Sequence, residues 1–332
     1  MKYGFKRWIA IFLFCYLGWF YSDQRLSVTV LKDISLFVCL QVILLMIMSF
    51  SLRFLRWNVL ASALGYRVSN LHNFFIYCSG FAFTATPGKT GELVRSIFLK
   101  DVGMTYVDSL ALFMFDRYCD LFSLSCIALV FMFSQNIINV TWFSILLFLL
   151  VAPYIILNTS FIESRLSFIW ERWKDAHRLK HVEKLLASLT RLFSVREFIL
   201  GIIFGAIAWS LVGLVFYIVL CALGGNLDYF SALGASSVSL VAGALSFVPG
   251  GLGVTEYVQS SLLIDLGESE EIVLNSTFIG RIMTLWFAIL FGSSCLLIVL
   301  KIGASSNVIL EGEAEKKQQD NQSLELNREN KE

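Results

Sequence analysis

Apolar residues in this chain come in long unbroken stretches, not in the alternating or three-to-four spacing of a half-buried strand or helix. Residues 33–55, 106–134, 198–223 and 272–300 each approach or exceed the ~20 residues that an α-helix needs to cross a hydrocarbon core. Shorter runs lie at 8–21 and 140–158. Two more apolar stretches are interrupted by Pro-Gly, "FTATPGKTGELVRS" around Pro87 and "LSFVPGGLGVTEYVQS" around Pro249. The pattern predicts an all-α polytopic membrane protein of about six full spans plus two broken segments. A composition of 57% hydrophobic and 15% charged residues, with mean hydropathy +0.72, excludes an ordinary soluble domain. Lys2, Lys6 and Arg7 precede the first run as they would in a signal peptide, but "WFYSDQRL" offers no small-residue cleavage site, so a retained first span is expected.

Gly88-Lys89-Thr90 invites comparison with a phosphate-cradling NTPase loop. That loop needs a glycine five positions before the Gly-Lys pair, and Phe83 stands there. A different explanation comes from internal repetition. Each Pro-Gly is followed by a second glycine three residues on (Gly91, Gly253) and by an acid (Glu92, Glu256). The acids are out of register when counted from the prolines. "ALG" occurs upstream of both, ending at Gly65 and Gly224, while "FDRYCDLF" and "IGRIMTLW" downstream place Arg117 and Arg281 in corresponding positions. Two repeats are expected, 33–134 with a hairpin near 70–100 and 198–301 with a hairpin near 229–266. Residues 1–32 hold a first span and outer loop, 135–197 a linking span and basic segment, and 302–332 a polar disordered tail. Proline ends a helix and glycine permits reversal, so each motif reads as a broken membrane segment. Such breaks in corresponding positions of two repeats point to a binding site between the repeats.

Charge orients the chain. If both broken segments re-enter the side they left, Arg53, Arg56, Arg67 and Lys100 fall near the inner face, and the eight Lys or Arg of 159–197 are cytoplasmic. Both termini are then inside, the two repeats have opposite topology, and one hairpin opens from each leaflet. Arg117 and Arg281 lie about ten residues, ~15 Å, into their spans, where a charge requires a partner. Asp116 and Asp120 are candidates for Arg117. Arg281 lacks a neighbouring acid and is expected to meet Glu256, an acid of the other repeat, or an anionic ligand. Lys89 and Arg95 flank the first break, and a helix starting near Gly91 would aim free N–H groups at a phosphate, with Glu92 placed to cap it. "VEKLLASLTRLF" puts Val182, Leu185, Leu186, Leu189, Leu192 and Phe193 on one face, after Trp170 and Trp173, as an interfacial amphipathic helix does. The seven cysteines show no paired spacing, and His177 and His181 lack a third ligand, so neither a metal nor a cofactor is expected.

With these motifs in place, the chain resembles, over residues 5–301, the flippase-like family formed by the transmembrane region of lysylphosphatidylglycerol synthases and its stand-alone relatives. The matching positions are Pro87, Gly88, Gly91, Glu92, Arg117, Asp120, Pro249, Gly250, Gly251, Gly253, Glu256, Arg281 and Thr284; Lys89 and Arg95 join them on charge. The resemblance implies two re-entrant hairpins in an inverted repeat that bind or translocate a lipid headgroup. Only a short polar tail follows residue 301, so aminoacyl transfer is not expected, and no nucleophile accompanies Glu256 or Asp120. The expected ligand is an anionic phosphate-bearing lipid of the inner membrane, a phospholipid or a polyprenyl-phosphate-linked one. The alternative is a non-transporting, lipid-binding accessory to a membrane glycosyltransferase or lipid synthase. A homo-oligomer is compatible with either, and nothing points to nucleic acid.

Overall fold

The computed structural model describes residues 34–67, 71–100, 103–136, 151–155 and 176–302. The spans expected at 8–21 and 140–158, apart from 151–155, lie outside the described residues, as do Trp170, Trp173 and the polar tail. The described residues form helices and turns without strands, and among them four helices are long and apolar enough to cross a membrane: Leu36–Ala63 (α1), Tyr106–Ser134 (α4), Val195–Ala222 (α6) and Glu270–Ile302 (α9). They fall on the four longest predicted runs. Between α1 and α4 lie α2 (Leu71–Ser79), a 3-10 turn at Gly80–Phe83, a 3-10 stretch at Pro87–Val94 and the five-residue α3 (Arg95–Leu99). Between α6 and α9 lie α7 (Tyr229–Leu245), the turn Pro249–Gly251 and α8 (Val254–Asp265). The amphipathic α5 (Ala176–Leu192) joins the halves.

The repeat recurs in local geometry. α1 and α6 are each 28 residues long and end on "ALG", with Gly65 and Gly224 at φ 91° and 89°. The amides of Tyr66 and Gly225 reach back to the carbonyls of Ala61 and Leu220, so the same left-handed cap closes both helices. At the breaks, Thr86 and Val248 are extended, and Gly88 and Gly250 adopt φ 59° and 63°. The next residues, Lys89 and Gly251, are left-handed as well, at φ 56° and 65°. Thr105 and Ser269 then cap α4 and α9 with their hydroxyls, accepting from the amides of Asp108 and Ile272.

Both broken segments turn back on themselves. Tyr66 donates from its hydroxyl to Asp108 across a separation of 42 residues at 2.6 Å. In the second half Glu268 accepts from the Asn226 amide, also 42 residues away, at 2.6 Å. Each segment therefore begins and ends at one place. The two places are at opposite ends of α6. Asp108 accepts from Ser188 and Lys184 of α5, just before α6 starts, whereas Asn226 follows its end. Side-chain contacts give the helix directions: Ser49 of α1 donates to the Ala208 carbonyl and Arg56 approaches Gly205, so α1 and α6 run antiparallel. On α4, Cys119 faces Gly201 and Ser123 donates to Ile202, so α4 runs with α6. Close approach depends on missing side chains; a Cβ on Gly292 would lie 2.4 Å from the Ala82 amide nitrogen.

Two expectations are corrected here. Arg53 and Arg56, expected near the inner face, are buried within α1 and aimed at α4, so as internally paired charges they carry no weight in the charge-based orientation. The apolar face of α5 does not lie on lipid along its whole length. Leu189, Leu192 and Phe193 are in the protein core, with Leu185 packed against it, and Val182 stays exposed. The helix is amphipathic because it packs on the start of α4.

Candidate ligand site

A helix with one carboxylate pair per turn presents both acids to the same neighbour, and α4 does so with Asp116 and Asp120. Arg56 binds both, at 2.6 Å and 2.8 Å, and Arg117 binds both, at 2.6 Å and 3.1 Å. Arg53 reaches Asp120 at 4.0 Å, and Arg95 reaches Asp116 at 3.9 Å. Glu92, 1% exposed, accepts from Thr84 at 3.0 Å and faces Arg117 at 3.6 Å. The cations are braced by rings: Arg53 lies 4.0 Å and Lys89 5.4 Å from the ring centre of Trp209, and Arg95 lies 4.8 Å from that of Tyr77. Trp209 also donates from its indole to Asp120 at 3.2 Å. It comes from α6, so the second repeat closes the charge network of the first.

The second repeat has a simpler arrangement. Arg281 donates from Nε to Glu256 Oε1 at 2.6 Å and from Nη2 to the Gly250 carbonyl at 2.5 Å. Glu256 Oε2 accepts from the Gly253 amide at 2.6 Å. One guanidinium and one carboxylate thus clamp the break at Gly250 and the start of α8. A π turn at Ile282–Trp286 follows Arg281 directly, an irregularity that recurs at functional sites. Glu92 and Glu256, out of register when counted from the prolines, are equivalent in space because each meets the arginine 25 residues downstream. The two-residue difference lies between the Pro-Gly turn and the acid.

Both breaks open onto one cavity of about 330 Å³. Its wall includes Gly88, Lys89, Glu92, Arg117 and Asp120 from the first repeat and Gly250, Gly251, Arg281 and Thr284 from the second. Pro87, Gly91, Arg95, Pro249, Gly253 and Glu256 are absent from that wall. Of these, Arg95, Gly253 and Glu256 support groups in or beside it. Thr284 donates to the Gly280 carbonyl at 2.7 Å. Towards the outside the lining turns apolar, with Leu245 and Phe247 50% and 72% exposed. The expected helix with free amides at Gly91 is not formed. The chain stays in 3-10 conformation to Val94, and the Gly91 amide donates to Thr86 Oγ1 at 2.7 Å. The positive character of the site comes from side chains instead.

Sequence reading missed Arg53, Arg56 and Trp209. The first two carried a signal: charges at positions 53 and 56 inside an apolar helix fall one turn apart on one face, and membrane helices hide such charges. Trp209 sits in an unbroken apolar run with nothing to distinguish it.

Four apolar helices of spanning length among the described residues, two Pro-Gly breaks and a shared, charge-lined cavity define an integral membrane protein with an internal polar site. Residues 7–292 match the family described as the lysylphosphatidylglycerol synthase TM region, and the chain belongs to that family. A stretch of 105 residues is 29% identical to the UPF0104 membrane protein PH1989 of Pyrococcus horikoshii, and it covers 32% of this chain and 31% of that protein.

Proposed function

We propose that this protein binds an anionic, phosphate-bearing lipid headgroup in the cavity between its two breaks and passes it between leaflets, without changing it chemically. The observation that carries this reading is the charge inventory in and directly behind the cavity wall. Among the described residues, Arg53, Lys89, Arg117 and Arg281 stand against Glu92 and Asp120 on the wall, and Arg56 and Arg95 against Asp116 and Glu256 behind it. A net positive, largely desolvated cluster in a membrane protein is costly, and an anion relieves it. The apolar rim at Leu245 and Phe247 gives lipid tails a place to remain in hydrocarbon while the headgroup is held.

In this reading the two closed segments are re-entrant hairpins of an inverted repeat, entering from opposite faces. Antiparallel α1 and α6, and hairpin ends at the two ends of α6, support it. Alternating access then consists of exchanging which break is clamped. The membrane is the cytoplasmic one with both termini inside, and a membrane glycosyltransferase or lipid synthase consumes the delivered lipid. The family name, which refers to a lipid synthase, agrees with a lipid ligand. The test is mass spectrometry of lipids retained by purified protein, wild type against Lys89→Gln. Enrichment of a phosphate-bearing lipid in the wild type that is lost in the variant is the expected result. Identical bulk phospholipid in both would overturn the proposal. A retained lipid that labelled-liposome assays show is never moved would leave a presenting subunit.

A further inference from the structure

Resting on that reading, the charge inventory sets the kind of headgroup. Among the described residues six basic side chains face four acidic ones, an excess of two positive charges at and around one cavity. A zwitterionic headgroup leaves the excess untouched, and a phosphodiester such as phosphatidylglycerol removes half of it. A phosphate monoester or a diphosphate diester, each doubly negative, removes all of it.

Lys89 stands apart within the cluster. Every arginine of the network has a carboxylate within 4.0 Å, whereas among the described residues Lys89 has no carboxylate that close and lies 5.4 Å from the Trp209 ring centre. Its backbone is also held where a side chain is disfavoured, at φ 56° and ψ 23°. The second repeat uses Gly251 for the same left-handed step, at φ 65°. The first repeat therefore keeps a strained lysine where its twin has the residue the geometry favours, and that lysine lines the cavity. We infer that the ligand carries two negative charges at its phosphate end, as a phosphate monoester or a diphosphate diester does, and that Lys89 selects it over a phosphodiester.

The experiment is native mass spectrometry of the full chain at pH 8, titrated with phosphatidic acid, phosphatidylglycerol or phosphatidylcholine, and with inorganic pyrophosphate as competitor. At that pH the monoester is doubly ionised, because its second pKa is about 6. Wild-type protein is expected to prefer phosphatidic acid over phosphatidylglycerol by about tenfold or more, and Lys89→Gln to bring the ratio below roughly threefold. Lys89→Gly controls for folding: it removes the strain, so the unfolding temperature of ligand-free protein holds or rises while the preference falls. Displacement by pyrophosphate would support a free phosphate anion as the ligand, and resistance to it a lipid-borne one. Equal affinity of wild type for the two anionic lipids, with both weakened in Lys89→Gln, overturns the dianion inference and leaves the headgroup site standing. Binding that is unaffected by either variant overturns both.

Discussion

Removing Arg281 separates a clamp from a mere charge. In the wild type its side chain, 7% exposed, satisfies Glu256 and the Gly250 carbonyl, and Glu256, 5% exposed, holds the Gly253 amide. Arg281→Met leaves a buried carboxylate without its guanidinium; Glu256→Gln leaves a buried guanidinium facing an amide and a carbonyl. Breaking a buried ion pair from one side costs about 3–5 kcal/mol, since the remaining charge keeps its desolvation penalty. With each kcal/mol worth roughly 2–4 °C in a chain of this order of size, either single variant is expected to lose on the order of 10 °C. The double variant Glu256→Gln/Arg281→Met buries no charge and should fall no further than the worse single one. Cys78, Cys119 and Cys295 are buried, so a fluorogenic thiol dye reads unfolding in a background where the other four cysteines, Cys15, Cys39, Cys126 and Cys221, are changed to Ser. Additive losses in the double variant, or single variants that melt with the wild type, would refute the clamp.

The inverted repeat proposed above predicts sidedness: Tyr66→Cys and Asn226→Cys should be labelled by an impermeant maleimide from opposite sides of the membrane, and labelling from one side would reject the inversion. Gly292→Ala brings a Cβ to 2.4 Å from backbone that no rotamer can move, so it should cost about 1–3 kcal/mol and lower the yield of folded protein; unaltered thermal unfolding would contradict this packing. Asp108 accepts from Tyr66, Thr105, Ser188 and Lys184, so Asp108→Ala should free α5 and raise hydrogen exchange across Ala176–Leu192 while α6 stays protected; exchange unchanged in α5 would show that its apolar face alone holds it.

Membrane architecture is legible in sequence where hydrophobicity alone decides it. The four long spans follow from uninterrupted apolar runs, and the breaks follow from Pro-Gly, because proline and left-handed glycine leave few alternatives. The pairing of Arg117 with Asp116 and Asp120 was legible too, since all lie within one turn of α4. What sequence hides is the face each charge presents. Arg53 and Arg56 sit one turn apart in α1, and their turn toward α4 depends on how α1 packs against α6. The conformation after each break was also hidden. Glycine spacing predicts a reversal, but whether an α-helix or a 3-10 stretch follows depends on Thr86 capturing the Gly91 amide. The partnership of Arg281 with Glu256 was one of three open choices, and the left-handed turn at Gly253 settles it by aiming α8 so that Glu256 faces α9.

Cryo-electron microscopy of the protein in nanodiscs containing phosphatidic acid tests the central claim most directly, because it locates the headgroup. The account predicts phosphate density between the Pro87 and Pro249 breaks, within hydrogen-bonding distance of Lys89 and Arg53, with acyl density leaving past Leu245 and Phe247. Headgroup density confined to the periphery, around a cavity whose cations are satisfied by water alone, would contradict it.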